Sequence, residues 1–263
     1  MRASNLHHSG KDQTMRLEGK VAIVTGAGGG FGEGIARRYA AEGAKVAVVD
    51  LRSEAAQRVA KNIGNGAIAI TADVGSGADV ERVARETTDK LGPIDILVNN
   101  AGVTHKNGPI LDIDEKMFDH LFRVNVKSIY HFIRVVAPLM RDQGGGVVIN
   151  IGSTAGIRPR PGLTWYNATK GEVNLVSKSL AVELAPWKIR VNVICPVIGE
   201  TGLLEAFMGL PDTPENRAKF LATIPLGRMS KPEDIASAAL YLASNEASFI
   251  TGVEFPVDGG RTI

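Results

Sequence analysis

Val21-Ala22-Ile23-Val24-Thr25-Gly26-Ala27-Gly28-Gly29-Gly30-Phe31-Gly32 runs from an unbroken apolar segment into a loop with glycine at five of seven positions, 26 to 32. An apolar run without alternation reads as a strand buried on both faces. Glycines between a strand and a helix let backbone N–H groups approach a pyrophosphate, which then sits at the positive end of the helix. The spacing here, Gly26, Gly30 and Gly32, differs from the GxGxxG fingerprint, and no lysine follows as a phosphate-binding P-loop requires. The stretch Ile35 to Ala41 then reads as helix and Val46-Ala47-Val48-Val49 as a second strand, ending in Asp50, eighteen residues after Gly32. A carboxylate at that place in a βαβ unit can accept hydrogen bonds from an adenosine ribose. A glycine loop alone is often a flexible turn, and a strand-end acid alone is usually just solvated. Within one βαβ unit the two point to a dinucleotide site.

The same alternation continues through the chain. Strands are predicted at Ala67 to Thr71, Ile94 to Val98, Gly146 to Ile151, Ile189 to Ile194 and Val253 to Val257. Helices are predicted at Val80 to Leu91, Phe118 to Met140 (broken near its end by Pro138), Tyr166 to Ala185 and Ile235 to Ala243. Apolar strands separated by helices mean an α/β chain: a doubly wound parallel sheet covered by helices on both faces, with ligands beyond the carboxyl ends of its strands. The organisation expected is a polar extension over residues 1–14, which holds His7 and His8, followed by a single Rossmann-type domain over 15–263 that starts at Met15. One segment, 197–231, breaks the alternation with Gly202, Gly209, Pro211, Pro214 and Pro225, and is expected to be a substrate-binding loop region.

Composition narrows the classes. The 263 residues carry 30 Lys and Arg against 28 Asp and Glu, a formal charge of +2, which argues against a protein built for nucleic acid. No apolar run approaches the ~18 residues of a membrane helix, and no secretory h-region follows the polar start. The single cysteine, Cys195, excludes an internal disulfide framework, and the five histidines are too scattered to complete a zinc site with it. A cytoplasmic protein with no metal, no nucleic-acid partner and no membrane partner is expected. Its 30 glycines are about 11% of the chain against an average near 7%, which fits many tight turns and close backbone approaches.

Three further signals concern chemistry. In Tyr166-Asn167-Ala168-Thr169-Lys170 a helix puts the tyrosine and the lysine one turn apart on the same face. A nearby ammonium stabilises a phenolate, and so can turn a phenol with a pKa near 10 into a usable proton exchanger. Such pairs are also common on ordinary helices. Ser153 follows the strand in Ile149-Asn150-Ile151-Gly152-Ser153, where it can be a catalytic hydroxyl or a turn residue. Asn99-Asn100-Ala101-Gly102, at the end of the fourth strand, carries the same two readings.

Together these residues resemble the short-chain dehydrogenase/reductase family over nearly all of the chain from Leu17 onwards. The loop Thr25 to Gly32 is similar to that family's TGxxxGxG motif, Asp73-Val74 to its adenine-contacting pair, and Asn99 to Gly102 to its NNAG motif. Asn125, Ser153, Tyr166 and Lys170 match its catalytic tetrad, with the serine thirteen residues before the tyrosine. The resemblance implies that Tyr166 exchanges a proton with the substrate oxygen, while Lys170 tunes it and holds the nicotinamide ribose. Ser153 would orient the substrate oxygen, and Asn125 would fix a water linking Lys170 to solvent. It implies cofactor contacts from Gly26, Gly30, Phe31, Gly32, Asp50, Asp73, Val74, Asn100, Ala101, Gly102, Pro196 and Thr201, as well as from Tyr166 and Lys170. It also implies a homotetramer that pairs through the helices at 118–140 and 166–185. One departure stands out: Cys195-Pro196-Val197-Ile198-Gly199-Glu200-Thr201 keeps the family's proline and threonine but has valine where glycine is usual.

The leading expectation is NAD-dependent oxidation of a secondary alcohol or reduction of a ketone; sugar, polyol, cyclic alcohol and hydroxy acid substrates all fit. Asp50 favours NAD over NADP, because it would repel a 2′-phosphate. The alternatives are a 3-oxoacyl-[acyl-carrier-protein] reductase, and a dinucleotide-binding sensor or scaffold without turnover. Arg158 and Arg160, between Ser153 and Tyr166, are candidates to receive an anionic substrate group. His105 and Lys106, just past the NNAG motif, are expected to border the same pocket.

Overall fold

The computed structural model describes residues 15–263; the expected extension over 1–14, with His7 and His8, lies outside the described residues. Seven parallel strands form one sheet: β1 (Val21–Thr25), β2 (Lys45–Asp50), β3 (Ile68–Thr71), β4 (Ile96–Asn99), β5 (Gly146–Ile151), β6 (Ile189–Pro196) and β7 (Glu254–Val257). Their spatial order is β3-β2-β1-β4-β5-β6-β7. The chain order reverses between β1 and β4, and a doubly wound sheet opens a crevice at the carboxyl ends of the strands there.

Period-two geometry explains why the central strands are apolar at consecutive positions. Ala22 and Val24 of β1 and Val46 and Val48 of β2 pack into one core layer. Their neighbours Val21, Ile23, Ala47 and Val49 pack into the layer on the opposite face. The first layer is covered by α1 (Gly30–Ala41), α2 (Ser53–Ile63) and α9 (Pro232–Ala243). The second is covered by α3 (Gly77–Leu91), α5 (Ser128–Asp142) and α6 (Thr164–Leu184). No helix among the described residues is long and apolar enough to cross a membrane.

The structure departs from the sequence reading in several places, among them α2, which was not expected. The single helix expected over 118–140 is α4 (Glu115–Phe122) and α5, joined by a π-helical turn at Arg123–Lys127. Pro138 does not break α5, which continues to Asp142 with Ala137 and Met140 buried around it; packing outweighs the missing N–H donor there. The segment 197–231 is not only loop. It holds α7 (Leu204–Met208) and α8 (Pro214–Leu221), and has a small core of its own formed by Val197, Ile198, Leu204, Met208, Ile224 and Met229.

Candidate active site

The glycine loop is shaped by backbone requirements. Gly26 and Gly30 have φ of +61° and +55°, in the left-handed region that L side chains rarely adopt. Gly32 is needed for a different reason: a Cβ there would collide with the Gly26 carbonyl oxygen and the Asn100 side chain. The loop closes onto Asp50. The Gly28 N–H donates to Asp50 Oδ2 at 2.9 Å and the Arg52 N–H to Asp50 Oδ1 at 3.0 Å. A Cβ on Gly28 would stand 2.7 Å from that same carboxylate oxygen, so the close approach also requires glycine. Gly29, the N-cap of α1, supplies no side-chain cap, and Gly29, Gly30 and Phe31 line the cleft. Uncapped first-turn N–H groups beside a bare backbone loop, with a buried carboxylate at its far side, fit a dinucleotide's pyrophosphate and ribose.

The opposite lip is fixed from the β1–β4 junction. Thr25 Oγ1 accepts the N–H groups of Asn100 and Ala101, each at 3.0 Å, and donates to the Val98 carbonyl at 3.2 Å. Asn100 Nδ2 donates back to the Thr25 carbonyl at 2.8 Å, so this side chain braces the glycine loop. Beneath it, Asn99 Nδ2 donates to Asn150 Oδ1 and Asn150 Nδ2 to Ser177 Oγ, both at 2.8 Å, tying β4, β5 and α6 together inside the core. On the Asp50 side, Ala72, Asp73 and Val74 line the cleft. Partial burial raises the Asp73 carboxyl, but Arg123, 2.7 Å from Asp73 Oδ2, outweighs it and holds the group below the usual carboxylate range.

Three of the expected reactive groups meet at the floor of this cleft, which has a volume of about 640 Å³. Tyr166 and Lys170 lie on the cleft-facing side of α6, and Ser153 follows β5. Lys170 Nζ sits 5.9 Å from the Tyr166 ring centre and donates to the Ile151 carbonyl at 2.8 Å. Phe207 of α7 stands edge-on to Tyr166, with ring centres 5.0 Å apart, and helps to exclude water. Burial dominates the electrostatics. It pushes the Tyr166 phenol up to about 12, against the pull of the Ser153 hydroxyl and Arg160, and pushes Lys170 down to about 8. Desolvation thus disfavours charge on both partners.

Asn125 lies in the π-helical turn, a device that re-aims side chains at functional sites. Its side chain clamps the backbone of Val103, accepting from the Val103 N–H at 2.8 Å and donating to the carbonyl at 2.9 Å, and it also donates to Thr169 Oγ1 at 3.0 Å. A Cβ on Gly102 would be 3.4 Å from Asn125 Oδ1 and 3.5 Å from Lys170 Nζ, so these two groups converge on that glycine. The polar atoms of Asn125 are thus engaged by the protein itself. Sequence reasoning missed this bracing role, and with it those of Thr25, Gly28 and Thr169.

The remaining expected residues divide. Pro196 and Thr201 line the cleft, with Thr201 facing the glycine loop across it: a Cβ on Gly30 would lie 3.5 Å from Thr201 Cβ. Val197, where glycine is usual, has no positive φ; its N–H donates to the Val257 carbonyl at 3.3 Å and its own carbonyl accepts from Ser230 Oγ at 3.1 Å. Valine therefore fits an ordinary extended backbone. Arg160 lines the cleft, whereas Arg158 lies in an adjoining cavity. His105 and Lys106 do not line the cleft: the imidazole is buried against the Lys106 carbonyl at 2.9 Å, and Lys106 faces solvent.

Comparison with known proteins agrees with this geometry. A family model described as Enoyl-(Acyl carrier protein) reductase matches residues 26–262. The chain is 48% identical over 252 residues to 4-formylbenzenesulfonate dehydrogenase from Comamonas testosteroni, covering 95% of this chain and 100% of that one. It is 37% identical to meso-2,3-butanediol dehydrogenase from Serratia marcescens, covering 94% and 96%. Among solved structures, 3-ketoacyl-(acyl-carrier-protein) reductase from Brucella melitensis, complexed with NADH, superposes with a TM-score of 0.90 at 49% identity, covering 94% of this chain and 100% of that one. A glycine loop closed by a strand-end acid, a tyrosine–lysine pair on the floor of the cleft, and these full-length relatives lead to one assignment: the chain belongs to the short-chain dehydrogenase/reductase family.

Proposed function

We propose that the protein is an NAD-dependent dehydrogenase that interconverts an alcohol and its carbonyl compound, with Asn125, Ser153, Tyr166 and Lys170 as its working set. The observation that carries the reading is the convergence of Tyr166, Lys170 and Ser153 at the floor of a cleft whose far end is closed by the Asp50 carboxylate. When bound, a nicotinamide dinucleotide would supply the hydride acceptor for oxidation of the alcohol and the hydride donor for the reverse direction. The chain's own groups handle the proton and the oxygen. Ser153 hydrogen-bonds the substrate oxygen, and Tyr166 takes the hydroxyl proton as the C=O bond forms, so that alcohol loses one hydride and one proton and two electrons are balanced. Lys170 holds the nicotinamide ribose and passes the proton onward, anchored meanwhile by the Ile151 carbonyl. Asn125 keeps Val103 and the Lys170 neighbourhood in register. Asp50 receives the adenosine ribose hydroxyls and repels a 2′-phosphate.

The relatives are named as dehydrogenases of compounds as different as a formylbenzenesulfonate and a butanediol, so they support dehydrogenation in common and leave the substrate to this chain's own pocket. A second reading, 3-oxoacyl-[acyl-carrier-protein] reduction, is favoured by the name of the Brucella neighbour; a panel of alcohols, ketones and 3-oxoacyl thioesters separates the two. We read the protein as a cytoplasmic homotetramer with 197–231 forming the substrate side of a single domain. Tyr130 and Leu139 on α5 and Leu175 and Val182 on α6 expose large apolar surface, which supports pairing through those helices. The direct test is Tyr166→Phe. Cofactor binding, followed by fluorescence titration, stays near wild type while turnover drops by ~10²–10⁴-fold; a variant with wild-type turnover would sink the assignment.

A further inference from the structure

Beyond the floor of the cleft, past Arg160, lies a second cavity of about 350 Å³. It shares Thr154, Arg160, Val197 and Ile198 with the main cleft, so the two are continuous. Four of its lining residues are basic, namely Arg158, Arg160, Lys219 and Arg261, and none is acidic. This concentration is unusual in a chain that carries 30 basic and 28 acidic residues, and whose other arginines mostly form ion pairs.

Three of the four cations are held in place by neutral partners. The Arg160 guanidinium stacks over the Phe220 ring of α8 at 4.9 Å, a contact that orients the group while leaving its N–H edge free for a ligand. Arg158 Nη1 donates to the Arg261 backbone carbonyl at 3.1 Å, and Lys219 Nζ to Asn216 Oδ1 at 3.2 Å. Among the described residues none of the four has a carboxylate partner within ion-pair distance. Burial, and then the charge of Arg261, both press the Arg160 pKa down, so the protonated arginine stands in a field that an anion would relieve. The Thr154 and Thr223 side chains border the same space as neutral hydroxyls.

We propose that this annex is an oxyanion subsite, which receives a carboxylate, sulfonate or phosphate on the substrate at the end remote from the reacting carbon. The proposal deepens the dehydrogenase reading and rests on it for the position of that carbon. Arg160, shared by both cavities, is the inner ligand, and Arg158, Arg261 and Lys219 surround the outer oxygens. A planar guanidinium can hold two oxygens of such a group at once.

The test uses hydroxycarboxylates of graded chain length paired with their neutral carboxamides, and compares kcat/KM within each pair. In the wild type the best carboxylate should exceed its carboxamide by about tenfold or more, chiefly through KM, the scale set by charge-assisted hydrogen bonds. That ratio should collapse towards one in Arg160→Gln and fall in the exposed Arg158→Gln, whereas Arg160→Lys retains part of it. Reading a ratio cancels any general effect of the substitution on the chemical step. A ratio near one in the wild type, or one unchanged in both Gln variants, overturns the proposal. So does a preference for carrier-protein thioesters over every small anion. Calorimetric titration with benzenesulfonate, which has no oxidisable group, supplies a second readout. If no alcohol turns over yet benzenesulfonate binds the wild type and not Arg160→Gln, the subsite stands and the dehydrogenase reading fails; absence of binding and of any carboxylate preference removes the subsite.

Discussion

Asp50→Asn is the substitution in which cofactor choice and loop architecture can be measured together. The carboxylate has two duties. It is the group we place against the adenosine ribose, and it accepts the Gly28 and Arg52 N–H groups at 2.9 and 3.0 Å. Two unit charges 4 Å apart repel by ~1 kcal/mol in water and ~4 kcal/mol at an effective dielectric of about 20. Asp50 is buried, which favours the larger figure, but Arg52 Nε lies 3.4 Å from Oδ1 and offsets part of the charge. We therefore expect the 2′-phosphate penalty to be about 1–2 kcal/mol, which makes the NAD-to-NADP ratio of kcat/KM fall by roughly five- to thirtyfold in the variant. The second duty has its own cost. An asparagine can accept only one of the two N–H groups with its carbonyl and turns its NH₂ towards the other, leaving a buried donor unmatched at about 1–3 kcal/mol. A fall in Tm of several degrees follows for a domain of this size. Steady-state kinetics with both cofactors and a thermal melt check the two effects separately. A Tm drop with an unchanged cofactor ratio would refute the ribose assignment while leaving the loop clip intact; a wild type that used NADP as well as NAD would refute it outright.

Three further outcomes follow from burial and exposure. Lys170 is pushed down to about 8 from a reference of 10.5, so a neutral Lys170 able to take up the Tyr166 proton accumulates as pH rises through 8; alcohol oxidation should climb through that pH, and Lys170→Arg should lose the limb. The folded state then binds fewer protons at Lys170 than the unfolded state between about 8 and 10.5, so this residue's contribution to stability rises across that window. Tyr166, pushed up to about 12, has the opposite sign between 10 and 12. In light scattering the protein should have about four times the 27.9 kDa chain mass, and a species at the chain mass would contradict the apolar faces of α5 and α6 as interfaces.

The sheet was the most legible part of the fold, because most of its strands announce themselves as apolar, β-branched runs; β7, with Glu254 and Pro256, is the weakest of them. The first two also show why: residues on both their faces are buried. Helix α2 went unread although its buried residues Ala56, Val59 and Ala60 recur at helical spacing: two of the three are alanines, so its apolar stripe is narrow and small. The π-helical turn at Arg123–Lys127 was invisible for another reason. Hydrophobic periodicity tolerates one extra residue in a turn, and nothing local in Arg123-Val124-Asn125-Val126-Lys127 marks the change. In the site, the residue types were readable and their duties less so. Asn125 and Asn100 turn out to brace backbone, and His105 is tucked against its own neighbour's carbonyl. Such roles depend on where the chain goes after a motif ends. The basic annex draws on the segments around 158, 219 and 261, which only the folded chain assembles.

The Asn99–Asn150–Ser177 chain has a consequence for folding fidelity. β4 and β5 are parallel, with Asn99 opposite Asn150, and their flanking residues are interchangeable aliphatics that discriminate poorly between one alignment and the next. A slip of β5 would carry the fully buried Asn150 amide away from both Asn99 and Ser177, and a slip of β4 would take Asn99 away from it. Each stranded polar group would cost about 1–3 kcal/mol, while the hydrophobic gain would hardly change. These three polar side chains therefore act as a proofreading key for the centre of the sheet, rejecting misaligned pairings that oily contacts alone would accept.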